Sequence, residues 1–263
     1  TYRQNTLDVF MDCPTRERAG WLCDSYFTAQ SAQYFSGDTV VEKVFLENFV
    51  LAQEFPNIPK GMLPMCYPSE SSDGNFIPQW AMWYMIELEG YFKRNPKAKK
   101  EAFNDLCYGL VYYLKSFKNE DGLLEKLDKW SMIEWSKANK WVQDVNYPTN
   151  MLYSKVIQLI GTWYEDKYLI EEAQKVKETI IEQSFDGSFF IDNAIRSEDG
   201  SLTLTGNRSE VCQYYAFFFE VADDTGDRFK GLKNVILNTF GPERKEKGIM
   251  PEIAYANAFI GNY

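Results

Sequence analysis

The residues best suited to chemistry crowd together near the start of the chain, in "LDVFMDCPTRERAGWLCDSYF" (Leu7–Phe27). Asp12, Glu17 and Asp24 supply carboxylates, Arg16 and Arg18 flank the glutamate, and Trp21 supplies an indole. Carboxylates accept hydrogen bonds from hydroxyls or hand over a proton, and an aromatic face packs on the apolar side of a sugar ring. The same residues also describe a helix N-terminus, where the dipole favours acids and the arginines form surface ion pairs. If a helix begins near Glu17, the steps of four and three residues put Glu17, Trp21 and Asp24 on one face. Pro14 disfavours helix at Cys13 and forces an extended entry. Gly20 permits close approach of backbone or ligand. On residue types alone both readings stand.

No histidine occurs anywhere in the 263 residues. Ser-His-Asp and Cys-His catalysis and histidine-ligated zinc are thereby excluded, and acid–base work falls to carboxylates, Tyr, Lys or Cys. The five cysteines (Cys13, Cys23, Cys66, Cys107, Cys212) are scattered without a CxxC pair, which favours buried free thiols over a disulfide framework. Cys13 and Cys23 flank the motif, but neither has a histidine to activate it. A formal net charge of −10 without a basic patch makes nucleic acid and anionic membranes poor partners. No apolar run is long enough to span a bilayer. The chain opens on Thr1 rather than Met, so a removed leader stays open, and a soluble periplasmic or secreted protein fits. No cofactor and no metal are expected. Asp186-Gly187 and Asp192-Asn193 look like metal-loop fragments but lack the closing Glu of a calcium loop.

The elements that must position these residues are helical. "TVVEKVFLENFVLAQEF" after Gly37-Asp38 places Val41, Val44, Phe45, Phe49 and Ala52 at helical spacing. "IPQWAMWYMIELEGYFKR" opens on Pro78, suited to a first helical position, and ends on Lys93-Arg94. "KKEAFNDLCYGLVYYLKSF" lines up Phe103, Leu106, Leu110, Tyr113 and Leu114. Further helices are predicted over 149–164, 167–183, 208–222 and 227–240, with Asn207 or Ser209 as cap of the third. Strand-like pieces are short, at 187–193 and 201–206. With 45% hydrophobic residues and no linker, one domain over 1–263 is the simplest organisation. Long loops over 55–76 and 124–147, rich in Pro, Trp, Asn and Ser, suit stacked helical hairpins with functional loops at one end.

The second loop gathers Trp130, Glu134, Trp135, Asn139, Trp141, Asp144, Asn146 and Asn150. Indole and amide groups in this density suit stacking and hydroxyl recognition, and equally suit a loop packed on its own tryptophans. Trp83 reads as core, and Trp80 less firmly so. Glu210 and Glu252 are the in-chain candidates for a catalytic base, though each sits where a helix start alone would explain an acid.

Asp12-Cys13-Pro14, Arg16, Glu17-Arg18, Gly20-Trp21 and Asp24 fall in the order of a signature found in bacterial α-L-rhamnosidases, glycoside hydrolase family 78, and the stretch resembles that signature closely. The chain has one acid before the second arginine where many members have two, and "ERxGW" keeps the register. A weaker resemblance continues through "FIPQWAMWYMIELEGYF" and "DKWSMIEWSKANKWVQDVNYPTNMLY", where Glu134-Trp135 matches an acid–tryptophan pair. The resemblance implies an all-α, (α/α)6 toroid of helical hairpins and inverting hydrolysis of terminal α-L-rhamnosides. It implies Glu17 as general acid, with Asp12, Arg16, Trp21 and Asp24 binding the sugar; Glu134, Trp135 and Asn150 on the second loop are further substrate-binding candidates from their residue types. A proton donor near neutrality needs a raised pKa, which Asp12, Asp24 and Trp21 would favour and Arg16 would oppose. The partner base of an inverting pair lies roughly 6.5–9.5 Å away. The helical periodicity supplies about eight or nine helices, short of a full toroid. The resemblance also stops at "YANAFIGNY", before the segment that carries the family's base. The chain is therefore expected to be a portion of the barrel, incomplete at both termini, within a larger parent having other domains. The alternative is a catalytically silent helical toroid that binds carbohydrate or protein.

Overall fold

The computed structural model describes residues 2–52, 54–69, 74–223, 225–239 and 241–253. They are mostly helical and fall into two compact units, Thr1–Ser116 with Asp128–Ser131, and Phe117–Leu127 with Met132–Tyr263.

The first unit is organised by helix α3, Pro78–Arg94, with Pro78 in its first turn and Lys93 and Arg94 in its last. Every residue from Pro78 to Leu88 is buried. A helix apolar on nearly all sides must be wrapped by others. Helices α1 (Asp24–Phe35), α2 (Val40–Leu51) and α4 (Asn104–Lys115) pack on it. Tyr84 Oη donates to the Leu46 carbonyl at 2.7 Å, and the Cys107 thiol lies 3.7 Å from Met85 Sδ. Phe45, Phe49 and Tyr84 form a ring cluster in edge and tilted contacts, the arrangement that aromatic quadrupoles favour. The long loop after α2 meets α4 through glycine. A Cβ on Gly61, at φ +90°, would stand 2.2 Å from the Gly109 carbonyl oxygen. Only the missing side chain allows that contact.

The second unit is built on a helical hairpin, α5 (Tyr147–Trp163) and α6 (Lys167–Ser184). Asn146 accepts from the Thr149 amide and Asp166 from the Leu169 amide, so both helix starts are capped by side chains. A small antiparallel sheet sits beside the hairpin's entry: β1 (Val145–Asn146), β2 (Asn193–Arg196) and β3 (Leu202–Leu204), with Val145 opposite Ala194 and Ala194 opposite Leu204. Helices α7 (Glu210–Phe218), α8 (Lys230–Asn238) and α9 (Gly241–Glu246) follow. No described helix is long and apolar enough to cross a membrane.

Three sequence expectations are corrected. The helix expected near Glu17 begins at Asp24. Arg18 and Cys23 take positive φ values of 51° and 69°, which a helix cannot accommodate, and Pro14 already bends the approach. The strand expected over 187–193 is a turn, in which Asp186 Oδ1 accepts from the Ser188 and Phe189 amides, and the pairing strand begins at Asn193. The helix expected over 227–240 is shorter, and residue 240 lies outside the described residues, as does the "YANAFIGNY" segment. Ser209, rather than Asn207, caps α7.

Candidate functional site

In the first unit, the motif forms a closed loop. The Asp12 amide donates to the Ala19 carbonyl at 3.1 Å, and the Ala19 amide returns a bond to Asp12 Oδ1 at 3.2 Å. Residues 13–18 bulge between these two contacts. The loop base is seated on residues 65–68: the Leu22 amide donates to Met65, Tyr67 donates to Gly20, and Gly20 donates to Pro68. A Cβ on Gly20 would lie 2.2 Å from the Tyr67 carbonyl oxygen, so the expected close approach is made by backbone.

Glu17 stands exposed on this loop. Its Oε2 is 2.8 Å from Arg16 Nε and accepts from the Cys13 thiol at 3.3 Å, while its amide donates back to that sulfur. One oxygen each of Asp12 and Glu17 and the Cys13 sulfur lie within 4.8 Å of one another. This trio is the grouping among the described residues that could ligate a cation, and the Arg16 guanidinium competes for the same glutamate oxygen. Asp12, part-buried, has its pKa raised by burial and by its interaction with Glu17. Glu17 is pulled down to about 2, first by the hydrogen bond from Asp12 and then by Arg16 and Cys13. Of the two, Asp12 is the weaker acid. The expected raised pKa falls instead on Asp24, pushed up to about 7 by burial and then by the charge of Asp12. The cause is position: Glu17 is solvated beside a cation, while Asp24 opens α1 against the core. Trp21 is half-buried, bridges to Cys66, and leaves its buried Nε1 without an acceptor among the described residues.

The second unit holds the other expected residues. Glu134 is 1% exposed and its neighbour Trp135 is 58% exposed. The pair is set by its flanks: the Ile133 amide donates to Asn139 Oδ1 at 2.9 Å, and Tyr215 Oη donates to the Ile133 carbonyl at 3.0 Å. Neither oxygen of Glu134 makes a well-directed hydrogen bond. Burial pushes this carboxyl up to about 7; the Ser136 amide offsets part of that, and the charges of Glu252, Asp192 and Glu210 add to it. Glu210 is committed to Arg244, whose Nη1 lies 2.5 Å away and also reaches Tyr214. Asp192, raised to about 7 by burial, binds the Ser209 amide and hydroxyl. Asn150 is fully buried, with its amide bonded to both polar groups of Leu124 and to the Asn146 carbonyl. It fastens the loop to α5. Trp80 and Trp83 are core.

Sequence reasoning missed three supports: the Cys13 thiol on Glu17, the Asp192–Ser209 contact, and the Arg244–Glu210 pair. Only the second left a local trace, as a serine three residues before Cys212 in an apolar helix.

A mostly helical chain with this motif loop belongs to a class of helical-hairpin glycosidases. Residues 1–224 match the bacterial alpha-L-rhamnosidase 6 hairpin glycosidase domain, and the chain belongs to that family. Among solved structures, the GH78 family rhamnosidase of Bacillus sp. GL1 shares 19% identity at a TM-score of 0.74 over 91% of this chain. The Klebsiella oxytoca rhamnosidase with rhamnose bound shares 16% at 0.66 over 88%. The α-L-rhamnosidase of Dictyoglumus thermophilum shares 16% at 0.57 over 89%. This chain spans 25%, 44% and 26% of those three chains, respectively. No curated protein matches it.

Proposed function

We propose that this chain supplies the proton donor and sugar-binding groups of an inverting glycosidase acting on terminal α-L-rhamnosides, as one portion of a six-hairpin barrel in a larger polypeptide. The Asp12 and Glu17 carboxyls, brought together on the motif loop, carry the reading. Glu17 is the general acid, and Asp12 stands beside it. A bound glycoside would displace water and loosen the Arg16 contact, which raises the Glu17 pKa, so that Glu17 can carry a proton as the leaving oxygen approaches. Trp21, with its unpartnered indole N–H, and Asp24 bind the sugar. In the second unit, Glu134 and the exposed Trp135 bind hydroxyls and stack, and Asn150 keeps their loop in place.

One observation favours a second reading. Glu17 rests ionised beside Arg16, a state that suits hydroxyl binding in a catalytically silent carbohydrate-binding protein. Steady-state kinetics of Glu17→Gln in the full polypeptide separate the two. A general acid loses about 10²–10⁴ in kcat on a natural glycoside, and less on an aryl glycoside whose leaving group needs no proton. Full activity in the variant would remove Glu17 from the mechanism.

A further inference from the structure

Helix α3 carries an acid that the motif does not use. Glu87 is 0% exposed. Its Oε2 accepts from Ser25 Oγ at 2.5 Å, and its buried Oε1 has no hydrogen-bond partner among the described residues. An ionised carboxylate in such a place is costly without a cation of its own. The neighbouring guanidinium of Arg94 is already paired with the buried Glu42 of α2. The groups that act on Glu87 are Ser25 from α1, Glu42 from α2 and Arg94 from its own helix, and the Cys23 thiol beside α1 feels its charge. Burial dominates and pushes the carboxyl up to about 8; Ser25 and Arg94 oppose it and Glu42 adds to it. Glu87 is therefore neutral near pH 7.

Ser25 directly follows Asp24 in the first turn of α1. That turn has no capping side chain: the residue before it is Cys23, held at positive φ, and it makes no side-chain cap. The first amides of the turn donate instead to backbone: Asp24 to Leu22, Ser25 to Trp21 and Tyr26 to Cys23. The side-chain bond from Ser25 to Glu87 ties this turn to α3.

We propose that Glu87 is a positioning residue for the motif: it holds Ser25, and with it the Asp24-bearing turn of α1, against α3. The effect on turnover rests on the glycosidase reading; the tether does not. Ionising Glu87 strands a charge in the core, so opening of the turn, which admits water to it, becomes easier. The sign follows from the raised folded-state pKa. The folded chain keeps a proton that the unfolded chain releases, so this group weakens folding as pH rises from 4.5 to about 8. The folding constant falls by up to about tenfold per pH unit in that window.

Amide exchange of residues 25–28, corrected for intrinsic rate, tests the tether in the full polypeptide between pH 6 and 9. Wild type should lose protection there as pH passes about 8, and Glu87→Gln, neutral at every pH, should keep it. Ser25→Ala should show low protection already at pH 6. The alkaline limb of kcat/KM on an aryl α-L-rhamnoside should move to higher pH in Glu87→Gln. Identical pH courses in wild type and Glu87→Gln would overturn the proposal, as would wild-type protection in Ser25→Ala. If Glu87→Gln does not fold, Ser25→Ala decides alone. A polypeptide that hydrolyses no glycoside in any form would defeat the glycosidase reading and leave the exchange result to judge the tether.

Discussion

At the scale of single residues, the motif separates its carboxyls by surroundings. Glu17 and Asp24 are both acids on a short stretch, yet one is held near 2 and the other near 7. Solvent and Arg16 stabilise the first as a carboxylate, whereas burial and the charge of Asp12 disfavour ionisation of the second. The raised pKa makes Asp24 a source of pH dependence. Between pH 3.8 and about 7 the folded chain holds a proton at Asp24 that the unfolded chain has lost. Stability therefore falls across that window as pH rises, by at most about 1.4 kcal/mol per unit. Asp24→Asn should flatten this part of the curve, as read from urea midpoints between pH 4 and 7. An unchanged slope would mean that Asp24 is ionised throughout. Trp21 is not among the groups that set the Glu17 pKa.

Among the elements, α7 shows how a helix start can organise buried acids. Ser209 Oγ accepts from the Cys212 amide at 3.1 Å while its hydroxyl donates to Asp192 Oδ1 at 2.6 Å. One side chain thus caps the helix and satisfies a fully buried carboxyl. Losing a serine cap costs about 1 kcal/mol, and leaving a buried polar group short of a partner adds about 1–3 kcal/mol. Ser209→Ala should therefore destabilise the second unit by about 2–4 kcal/mol in chemical denaturation, and Ser209→Thr by much less. A loss below about 0.5 kcal/mol would show that water replaces the hydroxyl. On the loop side, Asn150 does comparable work, exchanging two bonds with Leu124.

At the scale of the whole molecule, membership of the six-hairpin rhamnosidase domain is established over residues 1–224, and the chain spans a quarter to under half of the solved rhamnosidases it resembles. An inverting pair needs a base as well as an acid. In the second unit, Glu210 is neutralised by Arg244, and Glu134 is buried with a raised pKa. Glu210 is thereby occupied by its ion pair, and Glu134, 1% exposed, does not meet bulk water. The 263-residue chain alone should turn over an aryl α-L-rhamnoside at background rate while the full polypeptide is active at matched concentration. Equal rates would send the search for the base to Glu134 and Glu252.

The sequence by itself determined the helical class, the bounds of α3, the α5–α6 hairpin, and the identity of the motif residues. These are local properties: Pro78 starts a helix, apolar residues recur at helical spacing, and Asp12 through Asp24 stand in fixed order. What only tertiary structure decided was the state of each acid. The turn at Arg18 and Cys23, the seat on residues 65–68, and the packing of α1 on α3 set which carboxyl meets solvent and which meets the core. Burial and neighbouring charge depend on chain segments far apart in sequence, as with Ser25 and Glu87. Spacing could bring Glu17 and Asp24 to attention, but which of them holds a proton is a property of the folded surroundings.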